Sequence, residues 1–302
     1  MKIDLNILAT ETRNENSTNI DNISTLEMAK IMNNEDKKIA SAIEVELPNI
    51  ALAVEEISKS FMNNGRLIYI GAGTSGRLGI LDASECPPTY GTCPEMVVGI
   101  IAGGDYAIKN AVEGAEDNRE LGIEDLKAIK FSEKDILVGI AASGRTPYVL
   151  SALEYANSIG SITVSVSCNP CSEIAKISKI AINPIVGPEI ITGSTRLKSG
   201  TAQKLILNML STLSMIKIGK TFGNLMVDVQ ATNNKLVQRQ KQIVMEATGV
   251  SEEEATYALE QCDNNCKTAI FMILSGFSPQ ESMAILSLHK GFIREALKST
   301  KK

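Results

Sequence analysis

The chain has 302 residues, which is long enough for one large α/β domain, a smaller appendage and a substantial buried core. Its formal net charge is -5 and it has no long basic run, so the composition argues against nucleic acid as a partner. Residues 1–6 lack the cationic start and apolar core of a signal peptide, and no later segment has the apolar length of a membrane span, so we expect a cytoplasmic protein.

Residues 1–46 form a polar, asparagine-rich arm in which a helical pattern extends from Thr25 to Ala42. An arm this polar cannot bury enough apolar surface by itself, so we expect it to pack on a larger domain. The patterning predicts three parts: a helical arm at 1–46, an α/β domain at 47–222 and a C-terminal helical domain at 223–302.

The central region alternates short β-branched runs with amphipathic helical patterns. The predicted strands lie at 66–70, 97–101, 135–140, 162–166 and 180–182. Repeated βα units predict an α/β fold with a parallel sheet and helices on both faces. Ligands of such sheets bind beyond the carboxyl ends of the strands.

Two turns rich in glycine, serine and threonine follow predicted strands and open predicted helices. The first contains Thr74, Ser75, Gly76 and Arg77, and the second contains Ser143, Gly144, Arg145 and Thr146. The N-terminus of a helix presents unpaired N–H groups and a positive dipole end, and the hydroxyl groups add donors, so both turns suit a phosphate. An ordinary capped βα turn is the alternative interpretation of the second one.

The first turn also fits G-x-G-x-x-G, because Gly71, Gly73 and Gly76 have that spacing. A dinucleotide site further requires an acid at the end of the next strand, which holds the ribose hydroxyls. Asp105 is the available residue and a poor candidate, so this alternative stays open but weak.

Two groups of carboxylates follow these turns. Pro87 and Pro88 are expected to end the first helix just after Glu85, which places that acid near a chain reversal. Residues 113–118 are expected late in a helix, where the macrodipole disfavours negative charge. Glu113 and Asp117 are interpreted as solvated surface acids. Periodicity alone does not single out Glu116 among these acids as a functional residue.

The composition gives little support for a metal-binding site. Cys168 and Cys171 have CxxC spacing, but the next close pair, Cys262 and Cys266, belongs to the predicted C-terminal domain, and His289 is the single histidine. Structural zinc requires four converging ligands, so we expect no metal and six reduced thiols. A Ser-His-Asp hydrolase is equally unsupported.

The C-terminal third is predicted to be helical. A long helix at 198–218 carries a broad apolar face suited to core packing or a subunit contact, and three short helical patterns follow at 251–261, 266–274 and 279–286. Ser251 and Glu254 match a capping box at the start of the first short helix. This compact arrangement is similar to ubiquitin-associated modules.

Read in order, these motifs resemble the N-acetylmuramic acid 6-phosphate etherases, a branch of the sugar isomerase (SIS) domain superfamily. The resemblance extends through nearly the whole chain and rests on long blocks at 10–14, 20–25, 32–36, 70–79, 82–88, 113–118, 142–147 and 187–204. It implies that residues 47–222 form an SIS sugar-phosphate-binding domain and that the protein is a carbon–oxygen lyase.

The implied reaction cleaves the lactyl ether of N-acetylmuramic acid 6-phosphate and gives N-acetylglucosamine 6-phosphate and D-lactate, with no cofactor. The family's two acid/base glutamates correspond here to Glu85 and Glu116. Our hypothesis is that Glu85 protonates the departing lactate and that Glu116 removes the C2 proton. Such a division requires a raised pKa for Glu85 and an ordinary one for Glu116.

The remaining substrate contacts and the assembly follow from the same resemblance. The phosphate is expected on the second turn and the sugar near the first, while Lys198 and Arg77 are either ligands of the lactyl carboxylate or members of surface ion pairs. Glu189 is a further pocket candidate without an assigned role. A homodimer is expected. Two other functions stay open: a sugar-phosphate-sensing regulator without catalysis, and an aldose-ketose isomerase that releases no lactate.

Overall fold

The computed structural model describes residues 10–231 and 233–300, which form two compact units. The first unit comprises the described residues up to Ser84 together with Glu95–Ser211, and the second comprises Glu85–Pro94 together with those from Thr212 onward. The predicted domain boundaries at 46/47 and 222/223 stay predictions. Residues 1–6, on which the signal-peptide interpretation depends, lie outside the described part of the chain.

The N-terminal arm packs on the first unit through hydrogen bonds, as the sequence led us to expect. Buried Thr10 and Asn14 bond with Asn169 and with the carbonyl oxygen of Pro188. The predicted helix at 25–42 is two helices, α1 (Thr25–Asp36) and α2 (Lys38–Glu44), which are separated at Lys37. They lead into α3 (Leu47–Met62), whose apolar face is buried.

A five-stranded parallel sheet forms the centre of the first unit and confirms the predicted fold class. Its strands are β1 (Leu67–Gly71), β2 (Val97–Ile101), β3 (Ile136–Ile140), β4 (Ile162–Val166) and β5 (Ile180–Ile182), in the order β2-β1-β3-β4-β5. Every residue of β1 and β3 is buried, as is typical of strands covered on both faces.

Helices cover both faces of this sheet. A Cβ at Gly139 of β3 would contact α7 (Pro147–Ser158), whereas the next residue, Ile140, faces α4 (Gly73–Tyr90) near Gly79. Successive strand residues point to opposite faces, so α7 and α4 lie on opposite sides. The remaining helices between strands are α5 (Gly104–Lys109), α6 (Arg119–Ala128) and α8 (Glu173–Ile177).

Helix α4 corrects one prediction, because it continues through Pro87 and Pro88 to Tyr90. The two prolines lie in its last turns. Each removes one N–H donor there, but little helix remains to be disrupted, and the Pro87 carbonyl still accepts from the Gly91 amide at 2.9 Å. Glu85 is therefore inside a helix and not at a chain reversal.

The acidic segment corrects a second prediction. Glu113–Asp117 is a 3₁₀ turn that precedes α6, whose N-cap is Asn118. These acids consequently lie just before a helix and not late in one. The helix dipole favours negative charge at that end, so the predicted electrostatic penalty does not arise.

The second unit is a helical bundle with its own core. Helix α9 (Lys198–Lys217) is divided between the two units at Ser211, and a short hairpin of β6 (Thr221–Phe222) and β7 (Leu225–Met226) precedes the bundle in the chain. The three predicted helices are confirmed as α11 (Glu252–Gln261), α12 (Cys266–Ser275) and α13 (Pro279–Leu288), with the Ser251–Glu254 capping box present. Two further helices, α10 (Asn234–Thr248) and α14 (Ile293–Thr300), were not predicted from the sequence.

The described residues contain no single helix that is both long and apolar enough to cross a membrane. The pair α12 and α13 meets those requirements only when taken together, and it is bent by 105°.

Candidate functional site

The strand order creates a crevice between β1 and β3. From β1 the chain crosses to β2 on one side, and from β3 it crosses to β4 on the other, so the two following loops separate at the carboxyl edge. A cavity of about 430 Å³ lies there, and all its lining residues belong to the first unit: Glu11, Ala72, Gly73, Thr74, Ser75, Arg77, Glu113, Glu116, Ile140, Ala141, Ala142, Ser143, Thr146, Ser194, Thr195 and Arg196.

The first predicted turn forms the start of α4. Thr74 and Ser75 line the cavity from the first turn of that helix, where backbone N–H groups have no helical partner. The Ser75 hydroxyl donates to Oε1 of buried Gln203 at 2.9 Å, which fixes its orientation. Gly76 does not line the cavity. A Cβ there would lie 2.6 Å from the Gly71 carbonyl oxygen, so this glycine permits close packing of the helix on the sheet.

The second predicted turn connects β3 to α7. Ser143 and Thr146 line the cavity, whereas Arg145 belongs to the same turn without lining it. Gly144 has φ +67°, and a Cβ there would lie 2.3 Å from Ser172 Cβ. Thr146 is the N-cap of α7 but makes no side-chain capping bond, so the interpretation as an ordinary capped turn does not account for its hydroxyl.

Glu116 reaches the cavity from the 3₁₀ turn before α6. The residue as a whole is exposed, but partial desolvation of its carboxyl group raises the pKa, and the negative charges of Asp117 and Glu113 raise it further. We had expected an ordinary pKa for this residue. A raised pKa makes the carboxylate a stronger base wherever it remains ionised.

Glu85 is an exposed residue of α4 and is assigned to the second unit. The cavity lining contains Glu116 and residues of both turns, and Glu85 is not among the lining residues.

Three further candidates are held by bonds of their own. The Arg77 guanidinium lines the cavity and donates to the carbonyl oxygens of residues 107, 108 and 110, at the end of α5. Lys198 is buried, with Nζ 2.6 Å from Oε2 of Glu35. The Glu189 carboxylate is also buried and accepts from the Lys198 and Ser199 amides at 2.9 Å, so it caps the start of α9.

Several lining residues escaped the sequence analysis. Glu113, interpreted there as a solvated surface acid, lines the cavity, and so does Glu11 from the N-terminal arm. The segment from Ser194 to Arg196 also lines it. That segment lies in the loop between β5 and α9, and its position after a strand was the signal that could have identified it.

The alternative cofactors gain no support from the described residues. Asp105 is exposed on α5 and does not line the cavity. No group of three or more histidine, cysteine, aspartate or glutamate side chains within residues 10–231 and 233–300 could hold a metal ion. All six cysteines are free thiols.

Comparisons with known proteins agree with this architecture. The family model for the N-terminal SIS domain of the glucokinase regulatory protein matches residues 49–157. A phosphoheptose isomerase from Francisella tularensis, a solved structure, has a TM-score of 0.50 at 19% identity and covers 65% of this chain and 98% of its own. At that identity the likeness supports the fold alone.

Two relatives match over the full length. The N-acetylmuramic acid 6-phosphate etherase of Aliivibrio fischeri is 63% identical over 297 residues, covering 98% of this chain and 99% of the relative. The protein of the same name from Photorhabdus laumondii subsp. laumondii is 61% identical over 301 residues, covering 100% of both. The chain therefore belongs to the N-acetylmuramic acid 6-phosphate etherase family.

Proposed function

We propose that this chain is a carbon–oxygen lyase that cleaves the D-lactyl ether of N-acetylmuramic acid 6-phosphate without a cofactor. The products are N-acetylglucosamine 6-phosphate and D-lactate, as expected of an enzyme of amino-sugar catabolism and peptidoglycan recycling. The observation that carries the proposal is the cavity beyond β1 and β3, where Glu116 accompanies two hydroxyl-rich turns at the starts of α4 and α7.

The chemistry requires one base and one acid. In the open-chain sugar the C1 aldehyde acidifies the C2 hydrogen, which Glu116 removes as a proton. The electrons of the C2–H bond are first held as an enolate conjugated with C1. They then form a C2–C3 double bond while the C3–O bond breaks, and lactate leaves with a proton from Glu85. Water then adds at C3 and a proton returns to C2, so the net change is hydrolysis of the ether. The raised pKa of Glu116 suits it to accept the proton.

In this proposal the two turns bind different parts of the substrate. The phosphate binds the hydroxyl groups of Ser143 and Thr146 at the N-terminus of α7, where Gly144 gives the turn its left-handed backbone. The sugar lies beside Thr74 and Ser75, whose helix packs closely on the sheet because of Gly76.

Incubation with N-acetylmuramic acid 6-phosphate tests the proposal. We expect release of D-lactate and formation of N-acetylglucosamine 6-phosphate in equal amounts. Binding without turnover would instead indicate the sugar-phosphate-sensing regulator, and conversion of the sugar without lactate would indicate an isomerase.

The cellular setting belongs to the same proposal. We infer a cytoplasmic homodimer that acts on a small sugar phosphate and binds neither nucleic acid nor membranes. The net charge of -5 agrees with the absence of an electrostatic footprint for nucleic acid.

A further inference from the structure

The substrate of the proposed reaction carries two anionic groups, a phosphate and the lactyl carboxylate. The turns at the starts of α4 and α7 offer hydroxyl and backbone N–H donors, which suit the phosphate. The carboxylate needs a partner of its own, because an ionised group that loses water without one is strongly disfavoured. A planar guanidinium is the side chain that best matches a carboxylate.

Lys198 is one of the two cations predicted from the sequence as ligands of the lactyl carboxylate, and it already forms an ion pair. Its Nζ lies 2.6 Å from Glu35 Oε2, and the two side chains are only 2% and 3% exposed. It lines a different cavity, formed with the N-terminal arm and the segment at 185–188. Turning Lys198 toward the substrate would leave the Glu35 carboxylate buried without this partner, and breaking a buried ion pair in this way is strongly destabilising.

Arg77, the other cation, is held at the end of α5. Its Nε donates to the Ile108 carbonyl oxygen at 2.8 Å, and Nη2 donates to those of Ala107 and Asn110 at 2.8 and 2.9 Å. Both nitrogens of the Nε/Nη2 edge are therefore engaged, so Arg77 cannot present that edge to a carboxylate without releasing the α5 terminus.

Arg196 is the remaining cation among the described lining residues. It is exposed, lines the cavity, and has no hydrogen bond or ion pair with any described residue. Its loop is anchored on both sides, because Ser17 of the arm donates to the Ile190 carbonyl oxygen at 2.8 Å and the buried Glu189 carboxylate caps α9. The backbone is thus held while the guanidinium keeps all its donors for a ligand.

We propose that Arg196 binds the lactyl carboxylate of the substrate through a bidentate pair and so selects the ether over sugar phosphates that lack the lactyl group. The inference rests on the proposed function. Ser194 and Thr195 add hydroxyl groups beside it in the cavity wall. The cavity lining also contains three acids, Glu11, Glu113 and Glu116, so a carboxylate ligand is repelled there unless such a cation offsets their charge.

The test compares two ligands that differ in the lactyl group. In a Glu116→Gln background, where turnover is blocked, calorimetry measures the dissociation constants of N-acetylmuramic acid 6-phosphate and N-acetylglucosamine 6-phosphate, with and without Arg196→Gln. Losing a charge-assisted bidentate pair should weaken binding of the first ligand by about 10- to 100-fold. Binding of the second should change less than about twofold, since it makes no use of the pair.

Two companion variants complete the test. Arg196→Lys should recover part of the affinity, because it keeps the charge but not the planar fork. Arg119→Gln, which removes an exposed arginine paired with Glu154, should leave both constants unchanged. Equal weakening of both ligands would place Arg196 on the phosphate, and no weakening of either would remove it from the site. Both results overturn the inference, whereas absence of lactate release by the unmodified protein overturns the proposed function separately.

Discussion

At the scale of single residues, Glu85 and Glu116 have separable tasks in the proposed mechanism. Glu85→Ala should abolish lactate release while the C2 hydrogen still exchanges with solvent, because the base remains. Glu116→Ala should abolish both processes. Proton NMR of the substrate in D₂O measures the exchange, and a lactate assay measures turnover. General acid or base catalysis is worth about 10²- to 10⁴-fold, so each loss should be readily measured.

The outcome that contradicts this division is loss of exchange in Glu85→Ala, which would assign the C2 proton to Glu85. Exposed Glu124→Gln on α6 serves as a control that should leave both rates unchanged.

The pH profile is a second residue-scale prediction. Glu116 acts as a carboxylate, so kcat/KM should fall as the pH drops through its pKa, which burial, Asp117 and Glu113 raise. Asp117→Asn removes one raising charge. The pKa of Glu116 should therefore move down and the acidic limb of the profile should move to lower pH. Glu120→Gln, which removes a nearby acid of α6 that does not contribute to this shift, is the matched control. An acidic limb at the same pH in Asp117→Asn would mean that another group controls it.

The sequence predicted the position of a residue where a motif follows a strand, and it did not predict the direction of a side chain. Thr74, Ser75, Ser143 and Thr146 line the cavity because the ends of parallel strands meet at one edge. The substrate-binding roles of these residues stay predictions. The sequence could not show that Lys198 points into a buried ion pair, since that depends on Glu35, which is 163 positions away. Nor could it show that the loop of Arg196 turns toward the cavity.

At the scale of secondary-structure elements, the strands were the most predictable. The runs at 97–101, 162–166 and 180–182 match β2, β4 and β5 residue for residue, because short buried runs between helical patterns leave little choice. The ends of the helices were harder to predict from the sequence. The signals at Pro87 and Pro88 indicated a stop, yet α4 continues to Tyr90, since prolines so close to a helix end disrupt few remaining bonds.

The contact between α1 and α9 carries an element-scale prediction. Glu35 of α1 binds buried Lys198 at 2.6 Å, and it binds Lys38, which is 55% exposed, at the same distance. Lys198→Met should lower the free energy of unfolding of the first unit by about 3–5 kcal/mol, because a buried charge loses its partner. Lys38→Met should lower it by less than about 1 kcal/mol. Denaturant unfolding at neutral pH measures both, and equal costs would contradict the ranking.

The same pair predicts how stability depends on pH. Burial by itself would raise the pKa of Glu35, but bonds from Lys198, Lys38, Asn16 and Asn14 outweigh it and lower the pKa to about 2 from 4.5. A depressed pKa means that the stabilisation is complete above the unfolded value. The free energy of unfolding should therefore fall as the pH drops from about 4.5 toward 2. Glu35→Gln should flatten this decline, and an unchanged slope would show that other carboxylates dominate it.

At the scale of the whole molecule, the two compact units have separate apolar cores. Phe271 is fully buried in the core of the helical bundle, and Leu153 is fully buried in that of the α/β unit. Phe271→Ala should cost about 3–5 kcal/mol and Leu153→Ala about 2–5 kcal/mol. Hydrogen exchange resolved by segment should show that each substitution loosens its own unit. Equal loss of protection in β1 and β3 after Phe271→Ala would mean that the units unfold as one.

The proposed homodimer leads to a final prediction. The prediction concerns which subunit supplies each of the two glutamates to a site. Glu116 lines the cavity of its own α/β unit, whereas Glu85 is not among the residues that line it. We expect the Glu85 of one subunit to serve the cavity of the other. A mixture of Glu85→Ala and Glu116→Ala subunits should then regain activity, since each mixed dimer contains one site with both carboxyl groups. At equal amounts and random pairing, half of the dimers are mixed, so activity should reach about a quarter of the unmodified level.

The mixture must be denatured and refolded together, or incubated until subunits exchange, and mass spectrometry should confirm that mixed dimers have formed. Each variant mixed with itself is the control and should stay inactive. If mixed dimers form and release no lactate, both glutamates act within one subunit. Glu85 would then have to serve the cavity of its own chain.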